Sequence, residues 1–362
     1  MKLVNNKKII ILGTGGTIAG KSAIATDNVG YVASQVGIEQ ILAAIPSLIS
    51  KSGKAVGKAE YAGCELICEQ VSQIDSKDMN VAVWLRLLAR CQHWLAQADV
   101  QGIVITHGTD TLEETAFFLH ATLQAHQTLA KPVVLTCAMR PTTAIAPDGP
   151  QNLMDALAVA SSGGAQGGIT GDISGVVAVC AGVIHSAVDV QKVHNYRLDA
   201  FSSGDAGALG YVKEGKVVIY REYKENIALG DVLYRLLAID NIANDSRDSH
   251  DLPRVEIVLN HSSATGAMVE ALLAQRKTAE TNKLAGIVVA ATGNGTISKA
   301  LEAALQAAEA EGVVVWRSTR CVFGVLVGKA NAQFGDSGGL SPVKARVALM
   351  LHLAAKDLPA NT

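Results

Sequence analysis

Short runs of apolar, β-branched residues recur along the chain at Lys8–Leu12, Gly102–Thr106, Pro132–Cys137, Gly175–Cys180, Arg254–Leu259, Ala285–Ala291 and Gly312–Trp316. Each is too uniformly apolar to present one wet face, so each reads as a strand buried on both sides. Between them, apolar positions return at helical spacing in Gly37–Ile45, Asp78–Ala98, Leu112–Gln124, Gln151–Ser161, Gly266–Arg276, Ile297–Ala310 and Pro342–Ala355. Strand then helix, repeated, predicts an α/β protein built on a parallel sheet covered by helices. Polar residues crowd from Ile239 to Pro253, and a new strand-helix series follows. The break predicts a larger N-terminal α/β domain over 1–220, a linker over 221–252 and a smaller C-terminal α/β domain over 253–362.

Length supports that division, because 362 residues exceed what one hydrophobic core usually fills. With 49% hydrophobic and 18% charged residues the chain can bury a large interior. Lys+Arg at 31 against Asp+Glu at 33 leaves a net charge of -2, which gives no attraction to a polyanion and argues against a nucleic-acid partner. The six cysteines form no C-x-x-C pair and no cluster with histidine at zinc spacing, so neither a metal nor a cofactor is expected. Cys137 and Cys180 each end an apolar run and read as reduced core thiols, which favours a cytoplasmic location. Ile9–Leu12 is too short for a signal-peptide core, and no other segment reaches membrane-spanning length. A leader removed before this chain begins would instead put the protein in the periplasm.

Two motifs stand at strand ends. The first, Gly13-Thr14-Gly15-Gly16-Thr17-Ile18-Ala19-Gly20, is a glycine-rich turn in which backbone amides can approach a ligand closely. It is not a dinucleotide loop, since Ile18 stands where G-x-G-x-x-G needs its third glycine. What remains is a hydroxyl, Thr17, at the carboxyl end of a strand, where open α/β sheets place their sites; taken alone it would be an ordinary turn residue. The second motif, Ile105-Thr106-His107-Gly108-Thr109-Asp110-Thr111-Leu112-Glu113-Glu114-Thr115, also joins a strand to a helix. A capping box from Asp110 and Glu113, or Thr111 and Glu114, would account for its acidic residues. His107 invites comparison with a relay base, but a histidine beside a strand end is more often held structurally.

Together the two motifs closely resemble the signature segments of the bacterial L-asparaginase/glutaminase family, with Glu113-Glu114-Thr115 closer to its type II branch. The resemblance continues through Ile74–Asn80, Ala138-Met139-Arg140-Pro141, Asp148-Gly149-Pro150, Asp189–Lys192, Gly293-Asn294-Gly295 and Pro342–Arg346, so it spans nearly the whole chain. It implies hydrolysis of the asparagine side-chain amide without metal or cofactor. It makes Thr17 the nucleophile and Tyr31 its partner on a mobile loop, with Thr109, Lys192 and Asp110 as a second group in which a lysine held by a carboxylate relays a proton. It places Ser76, Asp110 and Ala138 at the substrate, assigns oxyanion donors to the glycine turn, and has Asn294 complete a site in a neighbouring subunit of a homotetramer, a dimer of dimers.

Those residue types suit the reaction. An amide carbon is a poor electrophile, so it needs an activated nucleophile and donors aimed at the developing oxyanion. A small zwitterion needs an acceptor for its ammonium and donors for its carboxylate, as Asp110 and Ser76 would supply. The chain departs from the family in three places. Ile184–Val188 lacks the Asp-Gly-Arg run found before the lysine in type II relatives, Arg320–Asp336 offers no counterpart to the neighbour's amine-binding glutamate, and Lys77 is unusual after Ser76. Alternative readings are a glutaminase-preferring member, an ammonia-supplying subunit of a transfer-RNA amidotransferase, or an amino-acid sensor without catalysis. A glycine turn beginning at residue 13 leaves no room for the amidotransferase's added N-terminal domain, and the presence of every hydroxyl and the lysine argues against the sensor.

Overall fold

The computed structural model describes residues 7–48, 59–124, 131–162, 173–221, 252–328 and 332–356, apart from the side chains of Gln124 and Lys356. The chain divides into two compact units, Met1–Lys224 and Glu225–Thr362. Of the expected linker over 221–252, only the two end residues lie among the described ones.

The first unit holds a nine-stranded sheet. In chain order its strands are β1 (Lys8–Gly15), β2 (Glu60–Tyr61), β3 (Cys64–Ile74), β4 (Val100–Thr106), β5 (Pro132–Thr136), β6 (Gly175–Cys180) and β7 (Val183–Ser186). A separate ribbon, β8 (Gln191–Lys192) with β9 (Phe201–Ser202), precedes β10 (Gly210–Lys213) and β11 (Lys216–Ile219), which return to the sheet. Spatial order is β11-β10-β7-β6-β5-β4-β1-β3-β2. Five central strands, β3, β1, β4, β5 and β6, run parallel. β2 at one edge and β7, β10 and β11 at the other pair antiparallel. The sheet is therefore parallel at its centre, as expected, and antiparallel at both edges. Of the parallel strands, β1, β4, β5 and β6 are apolar runs and β3 is not; the antiparallel ones are short or half-exposed and carry no such run.

Helices α1 (Ile38–Ala43), α2 (Val81–Leu95), α3 (Leu112–Gln124) and α4 (Gly149–Ser162) belong to this unit. The start of α2 shows how local chemistry sets a boundary: Asn80 adopts an extended conformation and its side chain accepts from the amide of Val83, so the helix begins three residues later than its pattern suggested. One side of the sheet is filled by Ile9, Ile11, Val104, Val134 and Val177 against Leu153, Leu157 and Ala160 of α4, all buried.

The second unit is a four-stranded parallel sheet in the order β12-β13-β14-β15, formed by Arg254–Leu259, Leu284–Ala291, Val314–Thr319 and Gly335–Asp336. Helices α5 (Ala267–Thr278), α6 (Lys299–Ala310) and α7 (Pro342–Lys356) accompany it. Its core joins Ile287, Val289 and Ala291 of β13 to Val269, Leu273, Leu301 and Leu305.

One feature of the larger sheet positions the site. β1 lies between β3 and β4, both later in the chain, so the loops leaving its neighbours diverge at its carboxyl end. That divergence is the crevice in which open α/β sheets bind ligands.

Candidate active site

Three loops meet at this crevice, after β1, β3 and β4. Glycines let them approach closely. A Cβ on Gly16 would lie 2.3 Å from Cα of Gly108, one on Gly108 would lie 2.4 Å from Oγ of Ser76, and one on Gly15 would lie 2.5 Å from the carbonyl oxygen of Ile74. Gly15 and Gly16 have φ of 106° and 82°, which L side chains rarely adopt, so space and conformation both demand glycine there. Thr14 ties the first loop to the third by donating from Oγ1 to the carbonyl of Thr106 at 2.8 Å.

Thr17 opens a single 3-10 turn, Thr17–Ala19, and is buried. Its Oγ1 lies 2.5 Å from the phenol oxygen of Tyr31. Tyr31 sits on a flap that folds back as an antiparallel bridge between Lys21 and Val32. Burial raises the Tyr31 phenol above its usual range, against a smaller opposing effect from the Thr17 hydrogen bond, and the nearby carboxylates of Asp75 and Asp110 add to the rise. The phenol is thus neutral at physiological pH.

Beyond the third loop, Lys192 Nζ donates to Thr109 Oγ1 at 2.8 Å and to Asp110 Oδ1 at 2.6 Å, and Thr109 Oγ1 lies 3.5 Å from the same carboxylate oxygen. Thr109 is 6% exposed, so the lysine-threonine contact is sheltered, whereas the Asp110 side chain is 55% exposed and available to solvent or ligand. The ribbon that carries Lys192 is anchored without an Asp-Gly-Arg run. Asp189 Oδ2 accepts from Ser186 Oγ at 2.7 Å and from Arg221 Nη2 at 2.7 Å, and its amide donates back to Ser186 Oγ at 3.0 Å. Ser186 and Arg221 thus fix the turn before the lysine.

Ser76, buried, accepts from the amide of Asp110 at 3.2 Å, and its carbonyl accepts from Thr111 Oγ1 at 2.8 Å. Asp110 and Thr111 are therefore drawn into the crevice, to Lys192 and Ser76. Lys77 turns to its own neighbours, with Nζ 2.8 Å from Asp75 and 3.3 Å from Asp78 at the surface. Ala138 is fully buried beside the crevice, in a segment held by Asp148, whose carboxylate accepts from the amides of Met139 at 2.8 Å and Arg140 at 2.9 Å.

His107 is fully buried, with Nδ1 2.7 Å from the carbonyl of Gly108 and Nε2 2.9 Å from Thr115 Oγ1. A carbonyl only accepts, so Nδ1 carries the proton, and Nε2 accepts from the Thr115 hydroxyl. Thr115 in turn accepts from the indole N–H of Trp84 at 2.9 Å. Desolvation pulls His107 down to about 4. With both ring nitrogens occupied and no route to Thr17 or Thr109, it is a strut for the Gly108 peptide.

In the second unit, Asn294 is exposed, and its side-chain amide clamps the backbone of Val327, accepting from its N–H at 2.7 Å and donating to its carbonyl at 3.1 Å. Among the described residues no group of three or more His, Cys, Asp or Glu is placed to hold a metal, and no helix is long and apolar enough to cross a membrane.

Residues 8–225 match the family model "Asparaginase, N-terminal", and residues 254–361 match "Glutaminase/Asparaginase C-terminal domain". The chain belongs to the bacterial asparaginase family. Among curated members it is 35% identical to L-asparaginase 2 of Bacillus subtilis (strain 168), over 97% of this chain and 84% of the relative. It is 36% identical to a glutaminase-asparaginase of Pseudomonas fluorescens biotype A, over 97% and 87%, and 35% identical to L-asparaginase 2 of Escherichia coli (strain K12), over 97% and 90%. A crystal structure of a probable cytoplasmic L-asparaginase from Campylobacter jejuni superposes with a TM-score of 0.77 at 34% identity, covering 96% of this chain and 95% of that one. A member from Haemophilus influenzae, 35% identical, is named as a probable periplasmic L-asparaginase. Sequence reasoning named, through the family resemblance, the residues that stand together here as Thr17 with Tyr31 and Thr109 with Lys192 and Asp110. It missed Ser34, whose hydroxyl reaches into the glycine turn and accepts from the amide of Gly16 at 2.8 Å; a serine in a polar loop carries no signal of that role.

Proposed function

We propose that this protein is an L-asparaginase, an amidohydrolase that converts L-asparagine to L-aspartate and ammonia by way of a threonyl ester. The observation that carries the reading is the pairing of two differently equipped hydroxyls at one crevice: Thr17 against a phenol at 2.5 Å, and Thr109 against a lysine at 2.8 Å.

In the first step Thr17 Oγ1 attacks the side-chain amide carbon. Its proton passes through the Tyr31 phenol toward the departing nitrogen, and ammonia leaves a β-aspartyl ester on Thr17. Tyr31 is a relay, because its raised phenol cannot serve as a standing base. The tetrahedral oxyanion needs donors. Since the amide of Gly16 is already spent on Ser34 and on the carbonyl of Ile74 at 3.0 Å, the neighbouring amide of Thr17 is the better candidate. In the second step Thr109, polarised by Lys192, activates the water that cleaves the ester and releases aspartate. Asp110 keeps Lys192 in place and, being half-exposed, receives the substrate ammonium, while Ser76 faces its carboxylate.

Asparagine is the proposed main substrate and glutamine a secondary one. Relatives named as glutaminase-asparaginases make the glutaminase-preferring reading the runner-up. Ammonia release from L-asparagine, L-glutamine and their D-forms decides between them, and silence on all of them would defeat the enzyme reading.

We further propose a homotetramer in which Asn294 contributes to a neighbouring copy's site. Support comes from the segment that Asn294 clamps, where Val322, Phe323, Val325 and Val327 are 46%, 57%, 66% and 71% exposed, an apolar run that a second copy would cover. A cytoplasmic location is proposed on the strength of six free cysteines, two of which, Cys137 and Cys180, lie buried with sulfurs 3.3 Å apart.

A further inference from the structure

We propose that Ser34 is the latch that closes the Tyr31 flap on the nucleophile loop, a positioning residue that acts through Tyr31. The inference rests on the reading of Thr17 and Tyr31 given above. Ser34 lies three residues after Tyr31 and holds φ at 60°, a left-handed conformation that a serine adopts only when its surroundings impose it. Every polar group it has is engaged. Its amide donates to the carbonyl of Gly16 at 3.1 Å, its Oγ accepts from the amide of Gly16 at 2.8 Å and donates to the carbonyl of Ile74 at 2.6 Å, and its carbonyl accepts from Gln73 Nε2 at 2.7 Å.

These bonds reach both the loop after β1 and the end of β3, so one residue of the flap is tied to two of the three loops that form the crevice. The hydroxyl occupies space that only a glycine leaves, since a Cβ on Gly15 would lie 2.5 Å from Ser34 Oγ. The reciprocal pair between Ser34 and Gly16 is adjacent to Thr17 in the chain, and the short segment from Ser34 back to Tyr31 leaves the phenol little freedom to leave Thr17. The rest of the flap is tied at its base and not to the end of β3. Lys21 and Val32 exchange two bonds at 2.9 Å, Ser22 and Thr143 two at 2.8 and 3.1 Å, the amides of Gln35 and Val36 donate to Ala19 at 2.7 and 3.0 Å, and Ile145 donates to Ala25 at 3.1 Å, while Ile24, Val29 and Val32 are each at least 60% exposed.

Ser34→Gly is informative because glycine accepts this backbone conformation freely, and Ser34→Ala, which keeps the Cβ and loses only the hydroxyl, should show the same effects if the hydroxyl and not added backbone freedom is responsible. Two readouts are needed. The first is flap opening without substrate, followed by trypsin cleavage after Lys21 under native conditions; cleavage should quicken by about tenfold, the scale of one or two hydrogen bonds. Gln73→Ala, which removes only the outer strut, should quicken it less. The second is a double-mutant cycle on asparagine hydrolysis: Ser34→Gly should lower kcat by about tenfold alone, yet cost little when added to Tyr31→Phe, as expected of a residue that works through Tyr31. Unchanged cleavage, or an equal loss of kcat in both backgrounds, overturns the proposal. If the purified protein hydrolyses nothing, the cleavage measurement still tests the latch by itself.

Discussion

At the scale of single residues, the two threonines differ in what accompanies them, and their variants should differ accordingly. Thr17→Ala should lower kcat by at least about a thousandfold and never yield a covalent adduct. Thr109→Ala and Lys192→Ala should be comparably slow but accumulate an aspartyl ester, visible by mass spectrometry of protein denatured after brief exposure to asparagine. An adduct on Thr109 in the Thr17→Ala variant would reverse the assignment. His107 gives a second expectation. Its folded value of about 4 lies below the 6.5 of an unperturbed histidine, so the unfolded chain binds the proton more readily. Stability from this residue is present in full above 6.5 and falls as pH drops from 6.5 through 4, by about 3 kcal/mol in total. Urea midpoints at pH 7 and pH 4.5 should show the drop in the parent protein and a smaller one in His107→Asn. Thr17, Thr109 and His107 were legible because they lie in two dense motifs, whereas Lys192 was reached only through the family resemblance. Ser34 was not, because its role comes from a φ angle and from partners 18 and 40 residues away.

Among the elements, the apolar runs marked the buried parallel strands well, since a strand covered on both faces has no freedom to be polar. β3 was invisible for the opposite reason. Its sequence carries Glu65, Glu69, Gln70 and Gln73, and only Cys64 and Leu66 are fully buried, because it stands next to the edge of the sheet. The antiparallel strands beyond β6 have at most four residues each, too few for any period to emerge. The glycines at the strand ends bear the tightest demands. Gly16→Ala should destabilise the first unit by about 2 kcal/mol or more and abolish activity, because its methyl group would have to displace the Gly108 backbone. A thermal melt with a parallel rate assay checks both, and an active, equally stable variant would show that the loops yield easily.

For the whole molecule, sedimentation should give four copies, and Val325→Asp together with Val327→Asp should break the assembly and reduce activity with it. A fully active monomer would remove the shared-site reading. Dialysis against a strong chelator should leave the rate unchanged, and activity lost and then restored by zinc would expose a metal role. The position of β1 also bears on how the protein is made. Its hydrogen-bonding neighbours end at Ile74 and Thr106, so a chain emerging from the ribosome has synthesised the nucleophile loop long before either flank exists to shape it. That strand, apolar from Ile9 to Leu12, must wait unpaired during translation. A nascent chain halted before Thr106 clears the exit tunnel should therefore be the form most in need of a chaperone.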